Sequence, residues 1–256
     1  MNRITKCLKE KDNILSIYFT AGYPKLESTS KIIKTLMRSG VDMIEIGLPF
    51  SDPLSDGKTI QMSSKIALEN GMNTNLLFEQ LKDIREEVNI PLIIMGYLNP
   101  IFQFGLESFC EKCMSVGIDG LIIPDLPIDI YLNDYKEIFQ KFNLLNNFLV
   151  TPQTKTSRIR YIDKHSEGFI YVVSSSSITG STKKFDRESI DYFNKLENMN
   201  LSSPRIIGFG ISNNENFSIA SRYSKGCIIG SAFIKNIEKN GLESINNFIR
   251  EIKNPD

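Results

Sequence analysis

One carboxylate sits where an apolar side chain is expected. Glu45 interrupts Met43-Ile44-Glu45-Ile46, whose other residues are those of a buried strand. An ionised carboxylate in such an interior is costly unless it is paired, protonated or engaged in chemistry. Alternation of period two puts Glu45 on the face opposite Ile44 and Ile46. Burial there raises a carboxyl pKa, which suits a general acid; a buried Lys or Arg partner is the competing account. The loop that follows, Gly47 to Gly57, carries Asp52 before Pro53 and Asp56 before Gly57. On turn chemistry alone both are turn-formers. Asp125, in Ile123-Pro124-Asp125-Leu126-Pro127, follows a later strand in the same fashion.

A second pattern suits an anion. The last two apolar runs lead into Gly208-Phe209-Gly210-Ile211-Ser212 and Gly230-Ser231-Ala232-Phe233, where glycine lets backbone N–H groups approach a ligand. One Gly-x-Gly turn is common without any ligand, but two such turns after the last two strands of a barrel mark the usual phosphate position. Gly180 lies in a Ser/Thr/Gly/Lys-rich loop, Ser174 to Lys184, that reads as a lid. Other chemistry has few candidates. The single histidine, His165, sits at an expected exposed helix end, which removes most zinc sites and leaves acid–base work to Asp and Glu. Cys110 and Cys113 have CxxC spacing inside a helical pattern, without a second pair, and read as core.

These residues need strands to carry them. Eight short apolar runs alternate with amphipathic segments: 14–19, 43–46, 91–95, 120–123, 147–150, 169–173, 205–208 and 227–230. Between them Ile32, Ile33, Leu36 and Met37 share one helical face, and Leu77, Phe78, Leu81 and Ile84 another. The long segment from Gly47 to Asn89 has room for an extra short helix at 59–70. Nearly continuous apolar strands with intervening helices mean parallel pairing. The expected fold is α/β, one (β/α)8 TIM barrel over residues 1–256, with Glu45, Asp56 and Asp125 at the C-terminal mouth of its strands. An open doubly wound sheet is the alternative.

Composition narrows the function further. The chain has 256 residues, 41% of them hydrophobic, and 30 Lys+Arg balance 30 Asp+Glu. No global positive field exists to hold a nucleic acid or an anionic membrane surface. The apolar run near the start, Ile14 to Phe19, is shorter than a signal-peptide core, and no stretch approaches about 18 unbroken apolar residues. Four cysteines in this length do not make a disulfide scaffold. The expectation is a cytoplasmic, soluble, reduced protein.

The string Ile44 to Gln61, IEIGLPFSDPLSDGKTIQ, resembles the signature of the tryptophan synthase α chain family. It is joined, in the same order and at similar separations, by Thr20-Ala21-Gly22-Tyr23-Pro24, Met95-Gly96-Tyr97-Leu98-Asn99-Pro100, Pro124-Asp125-Leu126-Pro127, Ile178-Thr179-Gly180, Gly208-Phe209-Gly210-Ile211 and Gly230-Ser231-Ala232. The resemblance implies a (β/α)8 lyase that cleaves indole-3-glycerol phosphate to indole and glyceraldehyde 3-phosphate, without metal or organic cofactor. Glu45 and Asp56 match the family's catalytic pair. Tyr171 matches an active-site tyrosine of the family, while Tyr18, Tyr97 and Phe209 would line the indole slot, although ordinary core packing explains such aromatics equally well. With Asp125 and Thr179 they make up the expected substrate-binding set. Thr179 would join the lid to the Asp56 loop, and Gly180, Gly210, Gly230 and Ser231 would hold the phosphate. The implied partner is the β chain, in an α2β2 complex that receives indole, docking near Asp52, Pro53 and the Asn99-Pro100 turn.

Three positions depart from the family pattern: Lys58 after Asp-Gly, Gly96 before Tyr97, and Tyr23 where Asp is common. None touches the Glu/Asp pair. A phosphosugar isomerase or a Schiff-base aldolase would share the barrel and phosphate site, but no lysine falls at an expected strand end. A non-catalytic chain that only binds ligand and activates its partner is the third reading.

Overall fold

The computed structural model describes residues 1–54, 56–174 and 185–254. Nine parallel strand segments form one sheet: β1 (Ile14–Thr20), β2 (Met43–Gly47), β3 (Leu92–Met95), β4 (Gly120–Ile122), β5 (Leu145–Asn146), β6 (Phe148–Val150), β7 (Ile170–Val173), β8 (Arg205–Gly208) and β9 (Gly226–Ile229). Their order is β5-β4-β3-β2-β1-β9-β8-β7-β6. The two ends of that order, β5 and β6, are separated in the chain only by Asn147, so the sheet closes into the expected barrel. The open sheet is ruled out.

The expected run 147–150 holds only the second of two segments, β6, and β5 precedes it. β5 pairs with β4, Gly120 opposite Leu145, while β6 pairs with β7, Phe148 opposite Ile170. Asn147 bridges the change of partner. Its backbone N–H and its Nδ2 both donate to the Leu121 carbonyl, at 2.9 and 3.2 Å, and its Oδ1 accepts from the Phe169 N–H at 3.0 Å. A Cβ on Gly168 would collide with that same Oδ1, so the glycine makes the bridge possible. We expect Asn147→Ala to destabilise the protein by about 1–3 kcal/mol, because it strands a buried donor at the seam. A urea midpoint equal to the parent's would contradict this.

The helices cover the outside as the periodicity requires. The helix Ser28–Arg38 buries Ile32, Ile33 and Leu36. Thr74–Leu81 buries Leu77, Phe78 and Leu81 and then stops; a 3₁₀ turn, Ile84–Glu86, follows instead of the continuous helix the pattern suggests. Arg85 in that turn donates to the carbonyls of Val88, Ile90 and Gly117 and pairs with Asp119 at 2.6 Å, which draws the chain off the helical path. The extra helix is present as Lys58–Glu69. A further helix, Arg3–Glu10, was not legible; it buries Ile4, Cys7 and Leu8 and is tied to the start of β4 by Arg3–Asp119 at 2.9 Å.

Cys110 and Cys113 are buried and free, and burial pushes the Cys110 thiol up to about 12 and the Cys113 thiol well above its usual range. They are core residues. His165 ends the helix Thr156–His165 but is half-buried rather than exposed, with its ring 4.8 Å from that of Tyr161. Among the described residues no helix is long and apolar enough to cross a membrane.

Candidate active site

The register of β2 turns Glu45 into the barrel. It lies opposite Tyr18 on β1 and Ile93 on β3, while Ile44 and Ile46 point to the helices. Glu45 is completely buried, and among the described residues no cation pairs with it. Its Oε1 accepts from Ser16 Oγ at 2.9 Å; its Oε2 is buried without a hydrogen-bond partner among the described residues. Burial raises the carboxyl pKa to about 8, against a smaller opposing effect of the Ser16 bond. The described residues offer no buried cation to Glu45, and burial favours its neutral form.

Asp56 forms a turn with its backbone and does something else with its side chain. Its N–H donates to the Pro53 carbonyl at 3.0 Å, and Gln61 Nε2 holds its own carbonyl at 2.9 Å. The carboxylate Oδ2 accepts from Tyr97 Oη at 3.2 Å. Burial raises the Asp56 pKa to about 6, again against the hydrogen bond. A cleft beside it is lined by Tyr18, Leu48, Phe50, Met95 and Tyr97, with the rings of Phe50 and Tyr97 5.2 Å apart. It is narrow and of mixed character, with apolar side chains beside the Ser64 hydroxyl and the Asp56 carboxylate.

The two acids and two buried tyrosines share one neighbourhood. Burial, then Asp56, then Glu45 push the Tyr18 phenol well above its usual pKa; burial, then Glu45, then Asp56 do the same to Tyr171. Each phenol leans over a glycine that ends the adjacent strand. A Cβ on Gly47 would strike the Tyr18 hydroxyl, and one on Gly208 the Tyr171 hydroxyl. Gly47 begins the Asp56 loop and Gly208 the expected anion turn, and each also gives a phenol clearance. Phe209 stands edge-on to Tyr171 at 6.3 Å.

After β8, Phe209 and Gly210 both have left-handed backbone, φ 67° and 71°. Ser174 Oγ donates to the Phe209 carbonyl at 2.7 Å and Asn216 Nδ2 to the Gly210 carbonyl at 2.8 Å, which fixes both peptide planes. A non-glycine residue held at positive φ by such bonds is typical of a ligand clamp. After β9, Gly230 starts the helix Ser231–Asn240 without a side-chain cap. Its first N–H groups make a favourable place for an anion. Ser212 Oγ, in the loop after β8, is buried and has no hydrogen-bond partner among the described residues.

Thr179 and Gly180 lie outside the described residues, as does the expected lid beyond Ser174. Asp125 is exposed, and its Oδ1 accepts from the Leu98 N–H at 2.9 Å; it holds the start of the helix Leu98–Phe104, next to Tyr97. Gly96 makes room for Leu48, whose Cβ would lie 3.1 Å from an added Cβ, and Tyr23 is buried in the core. Lys58 opens its helix at the surface. Ser16 was missed, although its alternation with Tyr18 and Thr20 marks the inner face of β1. Among the described residues no group of three or more His, Cys, Asp or Glu could hold a metal ion.

A family model described as tryptophan synthase alpha chain matches residues 4–255. The tryptophan synthase alpha chain of Flavobacterium psychrophilum is 64% identical over 252 residues, 98% of this chain and 100% of that one. That of Flavobacterium johnsoniae is 59% identical over 253 residues, 99% of this chain and 100% of its own length. Among solved structures, tryptophan synthase subunit alpha from Legionella pneumophila superposes with a TM-score of 0.88 at 30% identity, covering 98% of this chain and 97% of that one. The tryptophan synthase complex from Pyrococcus furiosus gives 0.85 at 30% identity, over 94% and 98%.

Proposed function

The chain belongs to the tryptophan synthase alpha chain family, and from that premise we propose how its residues divide the family's reaction, cleavage of indole-3-glycerol phosphate to indole and glyceraldehyde 3-phosphate. It is a carbon–carbon lyase of L-tryptophan biosynthesis, and it passes indole to the β chain within an α2β2 assembly. We place it in the cytoplasm, a reducing compartment that suits its four free, buried thiols.

Protonated Glu45 delivers its proton to C3 of the indole ring. The ring's C2–C3 π pair forms the new C–H bond and leaves positive charge on the ring nitrogen. Ionised Asp56 accepts a hydrogen bond from the ring N–H and stabilises that charge. Glu45, now ionised, takes the proton of the hydroxyl next to C3; a carbonyl forms, the C–C bond opens and its electron pair returns to the ring. Tyr18, Tyr97, Tyr171 and Phe209 enclose the indole, with Asp125 holding the Tyr97 segment. Gly210, Gly230 and Ser231, joined by Gly180, hold the phosphate, and Thr179 secures the lid over Asp56. Binding the remote phosphate aligns the reacting end.

The observation that carries this reading is the completely buried Glu45, without a cation among the described residues and in the same neighbourhood as Asp56. The test is indole release from indole-3-glycerol phosphate by the purified chain, alone and with a tryptophan synthase β chain. Slow release that rises on adding β is expected; no indole in either condition overturns the reading. The pH profile follows from the two acids. Asp56 must be ionised, so turnover rises as pH passes about 6; Glu45 must be protonated, so it falls as pH passes about 8. Tyr97→Phe removes a bond that favours ionised Asp56, so the lower limb moves to higher pH while the upper stays. A shift of the upper limb alone would contradict the assignment.

A further inference from the structure

The two oxygens of Glu45 are not equivalent. Ser16 Oγ, itself fully buried, donates to Oε1 at 2.9 Å, and Oε2 has no partner among the described residues. The strand register shows where that hydroxyl comes from. Tyr18 is level with Glu45, and Ser16 is level with Met43, one inward-facing layer nearer the strand N-termini. The hydroxyl therefore reaches the carboxyl from the closed side of the barrel, beneath Glu45. The other oxygen, Oε2, is left without a donor on that side.

We propose that Ser16 is a positioning residue for the lyase step, holding Glu45 by Oε1 so that the transferred proton is carried on, and leaves from, Oε2. The proposal rests on the assignment of Glu45 as the acid. A carboxylic acid has one good acceptor, its carbonyl oxygen, and one donor, its hydroxyl. A donor fixed on Oε1 favours the carbonyl there and puts the proton on Oε2. When that proton passes to indole C3, the O–H electron pair stays on the carboxylate. The Ser16 bond then becomes charge-assisted and strengthens. Ser16 thus opposes the cost of forming a buried anion at the moment it forms, an interaction stronger after proton transfer than before it.

The titratable groups facing Glu45 are Tyr18 from β1, Tyr171 from β7 and Asp56 from the loop after β2. Both phenols are held neutral by burial and the nearby acids, and Asp56 titrates on the opposite limb of the profile. A change in the upper limb therefore reports Glu45.

The test compares Ser16→Ala, Ser16→Thr and Glu45→Gln in the intact chain by kcat, KM and pH profile for indole release. Ser16→Ala should lower kcat about tenfold with KM within about twofold, the scale of one hydrogen bond to a charged group. Its upper limb should move up by about one pH unit, because the ionised form has lost its donor. Ser16→Thr, which restores the hydroxyl, should return the limb toward the parent. A Ser16→Ala profile superimposable on the parent, beside an inactive Glu45→Gln, overturns the role of Ser16 alone. Activity retained in Glu45→Gln removes the acid itself and the proposal with it.

Discussion

Glu45→Gln should release indole about 10³-fold more slowly than the parent, within the span of about 10² to 10⁴ that general acid–base catalysis supplies. Glutamine keeps the shape of the side chain and an oxygen that can accept from Ser16, so the barrel interior stays filled. What it lacks is a proton that can leave. The variant should also separate activity from stability. A buried carboxyl whose pKa stands near 8 binds a proton in the folded state that the unfolded chain has already released at neutral pH. Folding stability therefore falls as pH rises from the ordinary carboxyl range toward about 8, and the loss is greatest above it. Glutamine has no such dependence. The urea midpoint of Glu45→Gln relative to the parent should accordingly be higher at pH 8 than at pH 4. An active variant would remove Glu45 from the mechanism, and a midpoint difference independent of pH would show that the carboxyl is not held neutral.

The sequence made Glu45 conspicuous because burial makes a strand's side chains apolar and a charge there needs a reason. Asp56 carried no such signal. Its neighbours Pro53 and Gly57 are what a turn requires, and the backbone does make that turn. Its second role depends on Tyr97, 41 residues away, and only the folding of β3 beside β2 brings the hydroxyl to the carboxylate. Asn147 was hidden for a related reason. A closing strand has two different neighbours, and a local run of apolar residues cannot show where the hand-over falls. Gly47 and Gly208 were seen but half explained. Their closeness to the loops was legible, whereas the phenols of Tyr18 and Tyr171 lying over them are contacts across strands. Sequence patterns thus exposed the residues whose type conflicts with their surroundings. Residues that agree with their local context, such as Ser16, disclosed their use only in three dimensions.

The two acids also differ in kind. Both are raised by burial, Glu45 to about 8 and Asp56 to about 6, so at neutral pH the first is mostly protonated and the second mostly ionised. Environment alone separates donor from charge stabiliser, the arrangement that lets one site use two carboxyls oppositely. Ser16 and Tyr97 each give their acid a single hydrogen bond, too little to cancel the effect of burial.

Asp56→Asn isolates the second role. The amide oxygen can still accept from Tyr97, so the loop after β2 keeps its anchor, yet it carries no charge to oppose the one forming on the ring nitrogen. Loss of one such preorganised interaction costs about 10²- to 10³-fold in turnover. Affinity for the phosphate end should change far less, because the glycine loops after β8 and β9 are separate segments whose peptide planes do not depend on Asp56. Competition by glyceraldehyde 3-phosphate, the phosphate-bearing product, measures affinity at that end of the site. The pH profile gives an independent reading: the limb near 6 should vanish and the limb near 8 remain, since only Glu45 is left to titrate. If turnover and product affinity fell in parallel, Asp56 would be holding the ligand or the loop rather than the developing charge. A limb near 6 that survived the substitution would assign that titration to another group and leave the asymmetry between the two carboxyls without its mechanistic meaning.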